Sequence, residues 1–255
     1  GGQLYLAAAP PGREEFAELA KDLEYQVALS NINVVLDQGV DEALFDHEKP
    51  DAVILATGAL PIQPPIPGVE LPHVVQAWEV LQETAVIGKR VVIIGGGAVG
   101  VETALFLAEK GTLSPQALKF LLVNRAEDPE DLYELATRGT KDIVVIEMID
   151  KMGKDIGKTT RWGILQDLSR QGIQTKATTK ALAITATCVK VEMDGKIEEI
   201  PADTVVLAAG AASYNPLQEF VQKQGIPCKV IGDAARVALA FDAVHQGFEA
   251  GREIE

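Results

Sequence analysis

The chain has 255 residues, 47% of them hydrophobic and 24% charged, enough apolar material for two modest α/β domains and too much for a disordered chain. Its formal net charge of −14 argues against a nucleic-acid or anionic-membrane surface, since both need clustered Lys and Arg, and no apolar run reaches membrane-spanning length free of charge or glycine. Cys188 and Cys228 lie far apart and form no C-x-x-C, cluster or zinc spacing, so they read as reduced thiols of a cytoplasmic protein with no metal site. No secretory signal is visible, and a start at Gly1 rather than Met leads us to expect a piece of a longer polypeptide.

In chain order, Gly1-Gly2-Gln3-Leu4 reads as a glycine loop, Pro10-Pro11-Gly12-Arg13 as a turn, and Glu14 to Leu29 as a helix. Asn33 to Leu36 predicts a short strand, and Asp51 to Gly58 a buried strand ending in a glycine turn. Pro61 to Pro72 carries prolines at 61, 64, 65, 67 and 72 and reads as a stiff, extended crossover at a domain boundary. Trp78 to Glu83 predicts a short helix. Val91 to Ile94 then reads as a buried parallel strand, followed by Gly95, Gly97 and Gly100 at G-x-G-x-x-G spacing and by an Ala- and Leu-rich helix that Gly111 ends.

Each glycine of that run has a physical task. Gly95 allows the tight strand-to-helix turn, Gly97 lacks a Cβ and lets a pyrophosphate approach the backbone, and Gly100 lets the helix lie close on its strand. The unpaired amides of the helix start, at Ala98, Val99 and Gly100, together with the helix dipole, then favour phosphate. Strand, turn and helix agree, so the expectation is a dinucleotide-binding unit.

A compact unit of this kind would enter its next strand within a few residues. Instead Ser114-Pro115 and Asp128-Pro129 each carry an N-cap with proline at the first helical position, and Gly139 closes the second helix. Residues 112–141 read as an inserted helical hairpin, suited either to packing against another domain or subunit or to being a tolerated surface insertion. Asp142 to Glu147 is the next strand, Thr160 to Gln171 an amphipathic helix, and Ile173 to Lys176 and Cys188 to Met193 strands, with Asp194-Gly195 as a hairpin turn. Asp203 to Gly210 repeats the pattern of residues 51–58, as two nucleotide-binding units would. Lys229 to Asp233 is a further strand, and Phe241 to Glu253 the closing helix.

A carboxylate at the end of the second strand of such a unit accepts hydrogen bonds from the adenine ribose hydroxyls and repels a 2′-phosphate. Glu147 holds that place, which favours NAD(H) over NADP(H), although Lys151, Lys154 and Arg161 follow closely and could neutralise a phosphate. A solvated strand-end carboxylate is the plainer alternative for Glu147. Glu102, just past the third glycine on the first turn of the helix, fits either dipole stabilisation or a place beside the nicotinamide. Gly232-Asp233 fits a turn or a carboxylate offered to a ribityl hydroxyl. His47, His73 and His245 stand apart from any nucleophile or carboxylate motif and read as surface or capping residues. Trp78 and Trp162 read as packing residues. No general acid or base motif is apparent.

Several runs together resemble one family: Gly1-Gly-Gln-Leu, Pro11-Gly-Arg-Glu-Glu-Phe, Ala56-Thr-Gly, the glycine fingerprint, residues 147–157, Asp203 to Gly210, and Gly232-Asp. They are similar to the C-terminal flavin- and pyridine-nucleotide-binding half of the 2,4-dienoyl-CoA reductase family, NADH:flavin oxidoreductases related to old yellow enzyme and trimethylamine dehydrogenase. The resemblance covers nearly the whole chain outside the hairpin. It implies tandem Rossmann-like domains of the glutathione-reductase type. A partial FAD-binding domain (1–84 and 211–255) would be split around an NAD(P)-binding domain (85–210). It also implies an upstream TIM barrel with FMN and a 4Fe-4S cluster, electron flow from NADH through FAD, cluster and FMN to an enoyl- or dienoyl-type substrate, and room for homo-oligomer formation. By position, Gly95, Gly97, Gly100 and Glu147 would hold the NAD pyrophosphate and ribose, Glu102 and Gly210 would lie near the nicotinamide, and Gly2, Gln3, Thr57, Gly58, Gly232 and Asp233 would contact FAD.

The family's first glycine fingerprint would precede Gly1, so this chain by itself is expected neither to hold FAD tightly nor to reduce a dienoyl-CoA. A different outcome of the same resemblance is a module that holds an adenine nucleotide without turnover, as in trimethylamine dehydrogenase-like proteins. A pyridine nucleotide–disulfide reductase shares the domain pair but needs a cysteine pair near the flavin, which Cys188 and Cys228 do not supply by spacing.

Overall fold

The computed structural model describes residues 2–254; Gly1 of the opening glycine run and Glu255 lie outside the described residues. In chain order the elements are α1 (Gln3–Ala8), α2 (Glu15–Ala28), α3 (Glu42–Glu48), β1 (Val53–Leu55), β2 (Ala59–Pro61), β3 (Val74–Gln76), α4 (Ala77–Leu81), β4 (Arg90–Ile94), α5 (Ala98–Ala108), α6 (Pro115–Asn124), α7 (Pro129–Thr137), β5 (Asp142–Ile146), α8 (Lys158–Arg170), β6 (Gln174–Lys176), β7 (Thr179–Ile184), β8 (Cys188–Met193), β9 (Lys196–Pro201), β10 (Thr204–Leu207), β11 (Ala211–Ser213), α9 (Gln218–Lys223), β12 (Cys228–Val230) and α10 (Ala240–Arg252). The chain separates into two compact units, residues 1–20 with 63–210, and residues 21–62 with 211–255.

The first unit is built on a parallel sheet of order β3-β10-β4-β5-β6. Period-two alternation sends neighbouring side chains of one strand to opposite faces. Val91 and Ile93 of β4 enter a core with Val101, Ala104 and Leu107 of α5 and Leu168 of α8. Val92, between them, enters a second core with Val189 and Val191 of the antiparallel β7-β8-β9 meander. The sheet is thus covered on both faces, which is why its strands read as unbroken apolar runs. Each of these fully buried Val and Ile side chains contributes about 1.5–3 kcal/mol by leaving water.

The meander turns at Asp194 (φ 51°) and Gly195 (φ 73°), the hairpin that the Asp-Gly pair predicts. The pair α6 and α7 stands between α5 and β5 as the two Pro-initiated helices foreshadow, with the Ser114 hydroxyl accepting from the Ala117 amide at 3.2 Å.

The second unit pairs β1 with β12 in parallel and β2 with β11 antiparallel. Phe45 of α3 packs edge-on against Phe220 of α9, ring centroids 5.3 Å apart. No helix among the described residues is long and apolar enough to cross a membrane.

Local reading fails at some places. Gln3 and Leu4 belong to α1 rather than to a loop: Gly2 (φ 47°) precedes the helix and Leu6 anchors it by burial. Asn33 to Leu36 forms no strand. Val34, Val35 and Leu36 are exposed and make no ladder among the described residues, because β-branched residues favour a strand only where a neighbour pairs with them. Trp162 is 69% exposed on α8 and so is no packing residue. His73 is half-buried, its Nε2 enclosed without a partner, so it neither caps nor faces solvent.

One ion pair clips β4 to β10 at their starts. The Asp203 carboxylate accepts from the Arg90 backbone amide at 2.9 Å and from its guanidinium at 2.5 Å, which holds its pKa down at about 2. A depressed folded pKa gives stability that is fully present above the unfolded value of about 3.9 and is lost as pH falls through the folded one. The stability difference between wild type and Asp203→Asn is therefore expected to stay constant above about pH 5 and to shrink between about pH 4 and 2. Urea melts across that range check it; a gap that stays unchanged to pH 2 would contradict the assignment.

Candidate nucleotide-binding site

The parallel register brings distant segments to one edge. Ile94 pairs with Ile146 of β5 on one side and with Leu207 of β10 on the other. The residues that follow these strands, Gly95, Glu147 and Ala208 to Gly210, thus emerge side by side at the carboxyl end of the sheet. Ligands of open parallel sheets bind at that edge.

Backbone geometry there needs bare glycine. Gly95 has φ 113°, and a Cβ on it would lie 2.3 Å from the Ala208 carbonyl oxygen. A Cβ on Gly100 would lie 1.9 Å from the carbonyl oxygen of Gly95, so only glycine lets α5 start this close to its own loop. The sequence-based tasks of Gly95 and Gly100 correspond to these contacts.

Glu147, half-buried, sends one carboxylate oxygen to the Gly96 amide at 2.7 Å and the other to the Ile149 amide at 3.0 Å. Each oxygen thus accepts one amide and has a second lone pair for a further donor. The thirty residues of the hairpin, 112–141, thus do not remove Glu147 from the fingerprint loop. The amides of Gly97, Val99 and Gly100 have no acceptor among the described residues, while the Ala98 amide donates to Asp155 Oδ1 at 2.8 Å. Bare amides at a helix start beside a strand-end carboxylate suit the diphosphate and ribose of an adenine dinucleotide.

Glu102 stands one turn inside α5, which has no acidic residue in its first turn, so dipole stabilisation does not explain it. Its partner is Arg13, whose guanidinium donates to the carboxylate. Burial pushes the Glu102 pKa up, and Arg13 pulls it part of the way back. Sequence reading placed Arg13 in a turn and in a family-like run but not beside Glu102, 89 residues away.

The other predicted residues divide between the units. Gly210 (φ 94°) lies three residues past the end of β10, at the last position of the first unit, and is exposed. Gly2 and Gln3 lie at the start of α1, also in the first unit. In the second unit, Leu55 pairs with Val230, so Thr57-Gly58 and Gly232-Asp233 follow the same ends of two parallel neighbours. The Tyr214 amide donates to the Gly58 carbonyl at 2.9 Å, and the Thr57 hydroxyl donates to the Tyr214 carbonyl at 2.5 Å. The Gly232 amide donates to Gln246 Oε1 at 2.7 Å, and Asp233 Oδ1 accepts from the Ala238 amide at 3.1 Å. Cys188 is buried and Cys228 half-buried, both as free thiols, and burial raises the Cys228 pKa, away from a reactive thiolate.

Comparison with known proteins follows this geometry. A family model described as pyridine nucleotide-disulphide oxidoreductase matches residues 9–237. A metal reductase of Desulforamulus reducens is 42% identical over 259 residues, covering 97% of this chain and 38% of the relative. An NADH oxidase of Thermoanaerobacter brockii is 32% identical over 260 residues, covering all of this chain and 36% of the relative. The solved structure of a 2-naphthoyl-CoA reductase superposes on the whole chain with a TM-score of 0.83 at 22% identity and is covered over 34% of its length, a likeness of fold. The chain thus spans little more than a third of the length of these relatives.

Proposed function

Because this chain belongs to the pyridine nucleotide-disulphide oxidoreductase family, we propose that its first unit binds NAD(H) at Gly95, Gly97, Ala98, Val99, Gly100 and Glu147. The chain is a nucleotide-binding domain of flavin-dependent NAD(H) oxidoreductases. The finer reading rests on one observation above all, the Glu147 carboxylate seated on the Gly96 amide at 2.7 Å, where it meets the ribose end of any diphosphate held by the next amides. A carboxylate there accepts from two ribose hydroxyls and repels a 2′-phosphate, which supports NADH over NADPH.

Bound NADH supplies a hydride. The protein's part is alignment: the loop amides hold the diphosphate, Glu147 the ribose, and the half-buried Arg13–Glu102 pair and Gly210 border the nicotinamide end. Thr57, Gly58, Gly232 and Asp233 of the second unit would contact FAD. For a protein of the relatives' length the proposal extends to FMN and a 4Fe-4S cluster in an upstream TIM barrel and to reduction of an enoyl- or dienoyl-type double bond.

Titrating NADH and NADPH into the chain, with the emission of exposed Trp162 as the readout, tests the binding reading. Micromolar NADH binding, tighter than NADPH, is expected, and equal affinities or no binding would reject it. In the full-length flavoprotein, rapid mixing with NADH is expected to bleach the FAD absorbance; a bound nucleotide with the flavin left oxidised would instead favour the module without turnover.

A further inference from the structure

The amide at the head of α5 is already engaged by the protein itself. Asp155 Oδ1 accepts from Ala98, the first residue of the helix, at 2.8 Å, and Oδ2 lies 3.1 Å from where a Cβ on Gly97 would stand. The second glycine's missing side chain is what opens the loop to a phosphate. A carboxylate oxygen of the chain therefore faces that opening.

Asp155 is held there by its surroundings. Met152 and Ile156, three residues before it and one after, are both 7% exposed and packed into the helical core of the sheet. The Met152 sulfur fills the space beside Gly96, where a Cβ would come within 2.2 Å of it. The Gly153 amide donates to the Gly96 carbonyl at 2.6 Å, and Arg161 Nε donates to the Met152 carbonyl at 2.9 Å. Between these anchors the Asp155 side chain is exposed and carries no ion pair among the described residues. The strap thus brings a carboxylate to the head of a loop that would take a dianion, while Lys151 and Lys154 of the same strap carry the opposite charge. Glu147 and Glu102 add to that field, and of the two Glu102 has Arg13 as counter-charge.

We infer that Asp155 is a built-in competitor of the cofactor's diphosphate, and that it sets the affinity of the fingerprint loop by occupying the Ala98 amide and repelling the phosphates. This rests on the NAD(H) reading of the same loop. A bound diphosphate then either shares that amide with the carboxylate or displaces it, and Asp155 keeps nucleotide affinity low enough for release.

The test compares wild type with Asp155→Asn, which keeps an oxygen acceptor for Ala98 and removes the charge, and with Asp155→Ala, which frees the amide. Probes are NADH, ADP and adenosine, titrated by calorimetry at low and at about 0.5 M salt. Both variants are expected to bind NADH and ADP roughly 5- to 10-fold tighter at low salt, from a like-charge repulsion of about 1 kcal/mol, with a smaller gain at high salt and none for adenosine. Wild type that binds NADH while the variants bind it equally or more weakly overturns the competitor role and leaves Asp155 as a brace of the loop. If neither wild type nor either variant binds NADH or ADP, the site reading fails first, and the inference falls with it. Should Asp155→Ala unfold, Asp155→Asn and the salt dependence of the ADP-to-adenosine ratio in wild type still decide: a wild-type ratio that does not rise with screening counts against repulsion.

Discussion

Gly100→Ala is expected to destabilise the first unit by about 1–3 kcal/mol and to lower NADH affinity by roughly 100-fold. The added methyl would sit 1.9 Å from the Gly95 carbonyl oxygen and 3.2 Å from the Ala208 side chain. Backbone cannot yield that much locally, because the Gly95 amide is itself held by its hydrogen bond to the Ile146 carbonyl at 3.0 Å. Relief comes only if α5 slides off the strand. That movement pulls Val101 and Ala104, both 0% exposed, out of register with Ile93 and Val145, and it moves the amides proposed to hold the diphosphate. Alanine is the better helix former by roughly 0.8–1 kcal/mol, so the sign of the effect is diagnostic. Gly163→Ala in α8 is the control: a Cβ there meets nothing within 4 Å, and the change is expected to be neutral or stabilising. Urea melts and NADH titrations of both variants check this. A Gly100→Ala protein that melts with wild type and binds NADH within about threefold would overturn the close-packing account.

Glu147 carries the second large effect. Truncation to alanine removes two charge-assisted bonds, from the Gly96 amide at 2.7 Å and the Ile149 amide at 3.0 Å, and with them the proposed ribose acceptor. Such bonds are worth about 1.5–3 kcal/mol each in partly buried places, so NADH affinity is expected to fall by at least 10-fold. Glu147→Gln separates shape from charge. It keeps an oxygen for Gly96 but no longer repels a 2′-phosphate, and the NADH-over-NADPH preference is expected to drop about 10-fold, mostly through tighter NADPH. Lys151 and Lys154, close downstream, would then assist the phosphate. Direct titration of the three proteins with both cofactors checks this, and an unchanged preference in the glutamine variant would remove Glu147 from the specificity argument.

Much of this was legible in the chain as text. The β4–turn–α5 run appeared because its signals are short-range: four β-branched residues, glycines at set offsets, and helix formers directly after. The two Pro-initiated helices of the insertion were equally local. The family resemblance and the Rossmann-type fold are both borne out by the comparisons, and Glu147 does follow the strand beside the fingerprint. What escaped were elements defined by their partners. Three-residue strands such as β2 and β11 exist only because each pairs with the other, and α3 is a short helix whose interior anchor, Phe45, needs Phe220. The opposite error at Asn33 to Leu36 has the same origin, β-branched residues without a neighbour to pair with.

Sequence alone therefore settled the elements whose signals are local, such as β4, α5 and the two Pro-initiated helices, and where backbone had to come close to something, because glycine offsets, caps and apolar periodicity act over a few residues. Tertiary structure alone decided what came close. It put Arg13 on Glu102, Met152 on Gly96 and Asp155 on the head of α5. Those pairings span many tens of residues and depend on strand register and on the path of a strap, and neither leaves a periodic mark in the chain.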